Sequence, residues 1–217
     1  MPLVVFMRGV NVGTAKRFQP SLLARELKHL GVSNLGAAGT FVVRGTLAES
    51  ALRAEFLRRL PFACEIMVCQ GRDLEKLAAA EPFSNSPESS ELRRFVTVLA
   101  KRPRKPPALP WSYPAGDQWQ VRMIGLSGRF VLCHWRRLGG RSLLEPNGVV
   151  EKQFGVRATT RNWNTILRIC DALQEKEPKV PPQGGRRTQA ARKVKTGSSA
   201  GQRNRAGIPV VPTPRDT

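Results

Sequence analysis

All fourteen aromatic residues of this 217-residue chain lie before Gln174, and none occurs from Glu175 to Thr217. A core therefore has to be built within the first 174 residues, because large rigid side chains supply much of the area a fold can bury. The final stretch carries six prolines and five glycines, with Val180, Val194, Ile208, Val210 and Val211 as its only large apolar residues. Such a segment cannot hide enough surface to offset its chain entropy, so residues 175–217 are expected to be disordered.

Within residues 1–174 the hydrophobic period alternates between strand and helix. Leu3 to Val10 is an apolar run of strand length followed by a glycine-containing loop. Pro20 suits a first helical position, and Leu23, Leu27 and Leu30 repeat at i, i+4 and i+7 before Gly31. A short run at Asn34–Ala37 and a clearer strand at Thr40–Arg44 come next. Ala48 to Leu60 reads as a second helix with Leu52, Phe56 and Leu60 on one face, and Ala63 to Gln70 as another strand. The order is β-α-β-β-α-β, the split-βαβ or ferredoxin-like pattern.

A degraded copy follows. Asp73 to Ala80 is a short helix, residues 83–90 a polar loop, and Arg94 to Ala100 a strand. Five prolines and four basic residues between Lys101 and Pro114 take the place of a helix. Gln118–Ile124 and Arg129–Trp135 form a hairpin across Gly125-Leu126-Ser127-Gly128. A short helix around Asn147–Phe154 stops at Gly155. A closing helix presents Trp163, Ile166, Leu167, Cys170 and Leu173. The expected fold is α/β (α+β): two ferredoxin-like subdomains at about 1–85 and 86–174, followed by a disordered basic tail over 175–217.

Charge points to the class of partner. Thirty-six Lys and Arg against sixteen Asp and Glu give +20, at a sequence pI near 11.3. The tail holds ten basic and three acidic residues (+7), so +13 remains on the first 174. A balance of this kind directs attention to polyanions, nucleic acid above all. In the tail the charge gathers at Arg186, Arg187, Arg192, Lys193 and Lys195. In the body it gathers at Lys101, Arg102, Arg104 and Lys105, just ahead of Trp111 and Tyr113; one reading is a single-stranded nucleic-acid site, which cations beside aromatic rings suit, and the other a solvated, proline-stiffened loop that keeps the protein soluble. Arg136, Arg137 and Arg141 could extend that patch.

Other chemistries find little footing. Two histidines, His29 and His134, exclude histidine-rich metal centres, and Cys64, Cys69, Cys133 and Cys170 lack zinc-ligand spacing. Neither a metal nor a cofactor is expected. Cys64 and Cys69 would point to opposite faces of one strand, and buried, reduced thiols in a cytoplasmic protein are the expectation. No run approaches the roughly 20 apolar residues that cross a bilayer. The first twelve residues lack a secretory pattern, and no membrane partner is expected. Cys133 and His134 are neighbours on a strand and diverge, while Glu145 and Glu151 stand isolated among basic residues, so no catalytic residue is assigned.

Two polar segments remain. Arg8-Gly9-Val10-Asn11-Val12-Gly13 joins the first strand to the first helix, a position where α/β proteins bind anions. It matches neither nucleotide-binding glycine pattern. One reading makes Arg8, Asn11, Lys16 and Arg17 ligand-binding; the other gives the glycines tight turns and Asn11 a bond to its own backbone. Thr159-Thr160-Arg161-Asn162-Trp163-Asn164-Thr165 reads either as a capped helix start with Arg161 on a carboxylate, or as a pocket of Arg161, Asn162 and Asn164.

The opening R-G-V-N-V-G (Arg8–Gly13), the segment Val150–Gly155 and the closing R-N-W-N-T (Arg161–Thr165) resemble the domain of unknown function 1697 family, over roughly residues 3–174. The family opens with R-G-I-N-V-G and closes with I-E-K-x-x-G and T-A-R-N-W-N-T. The resemblance implies two ferredoxin-like subdomains and no established activity. The chain departs from the family where S-G-N is replaced by Ala38-Gly39-Thr40, and where a lysine after the Arg141-Ser142 pair is replaced by Leu143. If those positions line a shared site, this protein's version of it is altered.

The leading functional expectation is a non-enzymatic polyanion binder that holds DNA or RNA through the basic loops and the tail. The alternative is an enzyme or small-molecule binder that holds an anionic ligand between the two motifs, with Arg8, Asn11, Lys16, Arg17, Arg141, Ser142, Arg161, Asn162 and Asn164 in the site. A third is a module whose tail folds on an acidic protein partner.

Overall fold

A computed structural model describes residues 1–11, 18–87, 89–137 and 146–175. The chain begins with β1 (Leu3–Met7), α1 (Pro20–Glu26), β2 (Val32–Asn34), β3 (Thr40–Val43), α2 (Glu49–Arg59) and β4 (Ile66–Gln70). These strands form an antiparallel sheet in the order β2-β3-β1-β4, with β3 lying between β1 and β2. The five residues of β1 are apolar without alternation because both faces of the strand are covered. Leu3, Val5 and Met7 pack with Leu23 and Leu27 beside α1 and with Leu52 and Phe56 of α2, while Val4 and Phe6 point the other way.

The helix start at Pro20 is found, but α1 stops at Glu26 and tightens into a 3-10 turn over Lys28–Leu30. Gly31 closes it at φ +64°, where a Cβ would be strained. The run expected at Asn34–Ala37 is a strand two residues earlier, because Gly31 ends the turn and the chain pairs with β3 at once, Val32 opposite Val43.

The second half comprises α3 (Gly71–Ala79), β5 (Leu92–Leu99), β6 (Trp111–Tyr113), β7 (Val121–Ser127), β8 (Phe130–Arg136), α4 (Pro146–Phe154), β9 (Ala158–Asn162) and α5 (Trp163–Gln174). Its sheet order is β6-β7-β8-β5-β9, again antiparallel. No helix joins β5 to β7; the proline-rich segment and β6 fill that place, so the fold is α+β with the helices unevenly divided. The four residues read as a hairpin turn belong mostly to β7, which continues past a register shift between Met123 and Gly125 to Ser127. Gly128, at φ +62°, makes the turn.

Two strands escaped the sequence reading. β6 is three residues long and lies among prolines. β9 looks polar because Thr159, Arg161 and their neighbours bury hydroxyls and a guanidinium instead of hydrocarbon. The closing helix is correctly placed but buries Ile169 where Leu167 was expected, and Leu167 is exposed.

One core cluster joins the two sheets: Val4, Phe6 and Met67 from the first, Val96, Val98 and Leu132 from the second, with Leu74 and Leu77 of α3 and Ile166 and Ile169 of α5. A further cluster lies on the far side of the second sheet, where Val150 and Phe154 of α4 cover Met123, Val131 and Cys133. Among the described residues no helix is long and apolar enough to cross a membrane.

Candidate functional site

The two motifs meet in space, at the end of β1 that faces β9. Arg8 is placed by the last residue of β1 and by a left-handed turn at Gly9 and Asn11, φ +67° and +56°. It reaches α4 and forms a two-pronged pair with Glu151: Nε to Oε1 at 2.8 Å and Nη2 to Oε2 at 2.9 Å. The same Oε1 accepts the Ala158 N–H at 2.7 Å, and Arg157 stands 3.5 Å from Oε2. Burial alone would push the Glu151 pKa up. The Arg8 bonds, the Ala158 N–H and the Arg157 charge outweigh that effect and hold the carboxyl below its ordinary 4.5. Glu151 is therefore paired, contrary to its isolated appearance in the sequence.

Arg161 is the centre of the junction. It lies in β9, one residue before the helix cap, and is 7% exposed. Nε donates to Thr40 Oγ1 at 2.8 Å, and Nη1 donates to Thr159 Oγ1 and the Thr160 carbonyl at 2.8 and 2.9 Å. Nη2 donates to the Met7 and Ala38 carbonyls, both at 2.8 Å. All five N–H donors of a guanidinium are thereby used. The expected carboxylate partner is replaced by carbonyls and hydroxyls. Burial pushes the pKa down from 12.5 to about 10, so the group remains charged at neutral pH.

Asn11 is similarly occupied. Its amide nitrogen donates to the Phe18 and Ala37 carbonyls at 2.8 and 2.7 Å, and its oxygen accepts the Phe18 N–H. Both Asn11 and Arg161 thus grip the 37–40 segment. A Cβ on Gly39 would lie 2.8 Å from the Met7 Cβ, which requires glycine there. Asn162 caps α5 by accepting the Asn164 N–H at 2.9 Å. Asn162 and Asn164 then face a different space, a groove of about 220 Å³ that they share with Arg93 and Arg94. Lys16, Arg17, Arg141 and Ser142 lie outside the described residues.

The basic loop forms a site of its own. Lys101, Arg102, Arg104 and Lys105 are exposed and line a groove of about 520 Å³ whose other wall is Phe154, Gly155 and Val156. Arg102 also borders a second groove of about 240 Å³ with Asp73, Lys76 and Arg129, so the cationic face continues around the turn at Gly128. Among the described residues none of the four loop cations is paired with a carboxylate. Trp111 and Tyr113 stack with ring centroids 6.0 Å apart, and Trp111 packs on the cluster that contains Phe154 and Val156. Arg186, Arg187, Arg192, Lys193 and Lys195 lie outside the described residues.

A third polar cluster lies outside both motifs and the basic loop. On the face of the second sheet, Arg122, His134 and Arg94 sit side by side on β7, β8 and β5. The His134 Nε2 is 2.8 Å from Ser86 Oγ. Burial, then the Arg94 and Arg122 charges, lower the His134 pKa from 6.5, so the imidazole is held neutral. The alternation of β8 was the available signal, since Leu132, His134 and Arg136 share a face. The partners on β5 and β7 were invisible without the register. No group of three or more His, Cys, Asp or Glu able to hold a metal occurs among the described residues.

A family model described as "Protein of unknown function (DUF1697)" matches residues 1–125. No curated protein matches the chain. Among solved structures, a conserved bacterial protein from Streptococcus pneumoniae is similar at 15% identity and a TM-score of 0.52. The likeness covers 80% of this chain and 98% of that one. At that identity it speaks for the fold alone.

Proposed function

For a chain that belongs to the DUF1697 family, whose description names no activity, the surface chemistry has to supply the function, and we propose that this protein binds nucleic acid without acting on it. The observation that carries the reading is the set of four exposed cations at Lys101, Arg102, Arg104 and Lys105 along one groove, without a carboxylate partner among the described residues and extended past Arg102 toward Lys76 and Arg129. Lys and Arg that neutralise phosphates release condensed counterions, which gives affinity without sequence preference. Trp111 and Tyr113 on the neighbouring strand offer ring surface for unstacked bases. The tail cations add a second polybasic segment on the same chain.

The motif junction is less suited to a ligand, since Arg161 and Asn11 have their hydrogen-bonding groups occupied by backbone. Its arrangement supports a structural role for both motifs.

Fluorescence anisotropy of labelled single-stranded DNA, duplex DNA and single-stranded RNA, over a salt series, tests the proposal on the full chain. Log K should fall linearly with log salt. Replacing Lys101, Arg102, Arg104 and Lys105 together by Gln should reduce the single-strand slope by about 3, at roughly 0.7 per phosphate contact. If that variant binds as the parent does, and Gln at Arg186, Arg187, Arg192, Lys193 and Lys195 removes all binding, the loop is not the reader. The tail then acts as a generic polycation.

A further inference from the structure

The groove between Pro87, Ser89, Glu91 and Leu92 and the face of the second sheet has about 570 Å³ of space and an unusual wall. Trp119 is buried, and two guanidinium groups lie over its indole ring: Arg122 at 4.4 Å and Arg136 at 4.5 Å from the ring centroid. Stacking of this kind fixes planar cations in place. Arg122 is further tied by Nε to Ser112 Oγ at 2.9 Å, and Arg136 by Nε to the Trp119 carbonyl and by Nη2 to the Asp117 carbonyl. These bonds leave both terminal amino groups of Arg122 and the Nη1 of Arg136 without a protein acceptor among the described residues. Both arginines line the groove.

The rest of the lining is largely apolar, with Leu92, Pro110 and Ile124 beside the neutral His134. Glu91, the one acidic residue of the wall among the described residues, is solvent-exposed. Two oriented, incompletely bonded guanidinium groups above apolar walls match one chemistry: a flat apolar body that ends in an anion. A polyphosphate chain would gain nothing from Leu92, Pro110 and Ile124, and a neutral apolar molecule would leave the arginine donors unmet.

We propose that this groove is a binding site for a small organic anion with a flat apolar body, held by Arg122 and Arg136. It is separate from the Lys101–Lys105 groove. Leu92 of β5, Arg122 and Ile124 of β7 and His134 and Arg136 of β8 line it, so the site combines three strands and needs the sheet to be assembled.

The probe is 8-anilinonaphthalene-1-sulfonate, with its uncharged counterpart N-phenyl-1-naphthylamine and inorganic phosphate as comparisons, each titrated by calorimetry into the full-length protein. Intrinsic tryptophan fluorescence, compared between the parent and Trp119→Phe, reports the same events. The sulfonate should bind once per chain and at least ~10-fold more tightly than the neutral amine, the order expected for a charge-assisted hydrogen bond. Phosphate should fail to displace it. Arg122→Met with Arg136→Met should cost a further ~10-fold or more by the same reasoning, while Gln at Lys101, Arg102, Arg104 and Lys105 should change nothing. Equal affinity for the neutral amine overturns the proposal on the unmutated protein, whatever the variants do. Displacement by phosphate at like concentration also overturns it, since the site would then be a simple anion site. Loss of sulfonate binding in the Lys101–Lys105 variant would place the ligand elsewhere.

Discussion

Arg8 and Glu151, 143 positions apart, form a two-pronged ion pair that joins the end of β1 to α4. The Glu151 carboxylate simultaneously accepts the first N–H of β9, so one side chain fixes a strand end, a helix and a strand start. The Arg8 turn and the segments around Glu151 and Arg161 are thereby a single structural joint, with Arg161 as its buried half.

Glu151→Gln keeps the shape and removes the charge. With the carboxyl side chain 14% exposed, the expected loss is about 1–2 kcal/mol, the range for charge-assisted hydrogen bonds that are partly solvated. The folded-state pKa lies below 4.5, so this stabilisation is present above the ordinary carboxylate pKa and disappears as the pH falls through the folded value. Urea midpoints of parent and variant should differ at neutral pH and converge in acid. A constant difference across the range would show that charge is not what Glu151 contributes.

Arg161→Met should be the more damaging change. It leaves the Met7, Ala38 and Thr160 carbonyls and two threonine hydroxyls without their donor, in a place with little access to water. A loss of about 3–5 kcal/mol is expected, typical of breaking a buried charged network. Arg161→Lys should recover part of it, since one ammonium can reach only some of these acceptors. Chemical denaturation of both variants decides; a loss below about 1 kcal/mol for Met would be incompatible with the bonding described.

His134 gives the fold a pH response of defined sign. Its pKa is lowered in the folded state by burial and by Arg94 and Arg122, so the folded protein binds fewer protons than the unfolded chain. The stabilisation is complete above about 6.5 and is lost as the pH falls toward the folded value. His134→Gln, which can still bond Ser86, should flatten the fall in thermal midpoint between neutral and mildly acidic pH. Identical pH profiles for the two proteins would exclude His134 as the titrating group.

Burial pushes the Cys69 and Cys133 thiols up to about 12, and Cys170 to about 11. Since the thiolate is the reactive form, Cys69 and Cys133 should resist Ellman's reagent at neutral pH and react at once in denaturant. Mass spectrometry of the labelled peptides would identify the sites. Labelling of Cys133 in the native protein would mean that α4 opens readily.

Periodicity and composition alone were enough to order the elements of the first sheet and to place α5. In each case the information is local: Leu23 and Leu27 repeat along one helix, Leu3–Met7 is apolar throughout, and Asn162 caps the helix that follows it. The site was far less legible. Arg161, Asn11 and Glu151 have the residue types of a ligand pocket, and nothing in their spacing reveals that Arg161 and Asn11 donate to backbone carbonyls while Glu151 accepts from Arg8 and the Ala158 N–H. β9 was hidden because its inward side chains are threonines and an arginine, whose burial is tolerated only once Met7, Ala38 and Thr40 arrive to bond them. The row Arg122–His134–Arg94 exists only in the register of three strands. Sequence determined which segments could become helix or strand, since that depends on neighbours along the chain. Tertiary structure decided which polar groups were consumed and which were left for a ligand, because hydrogen bonds and ion pairs depend on partners that folding brings from far away.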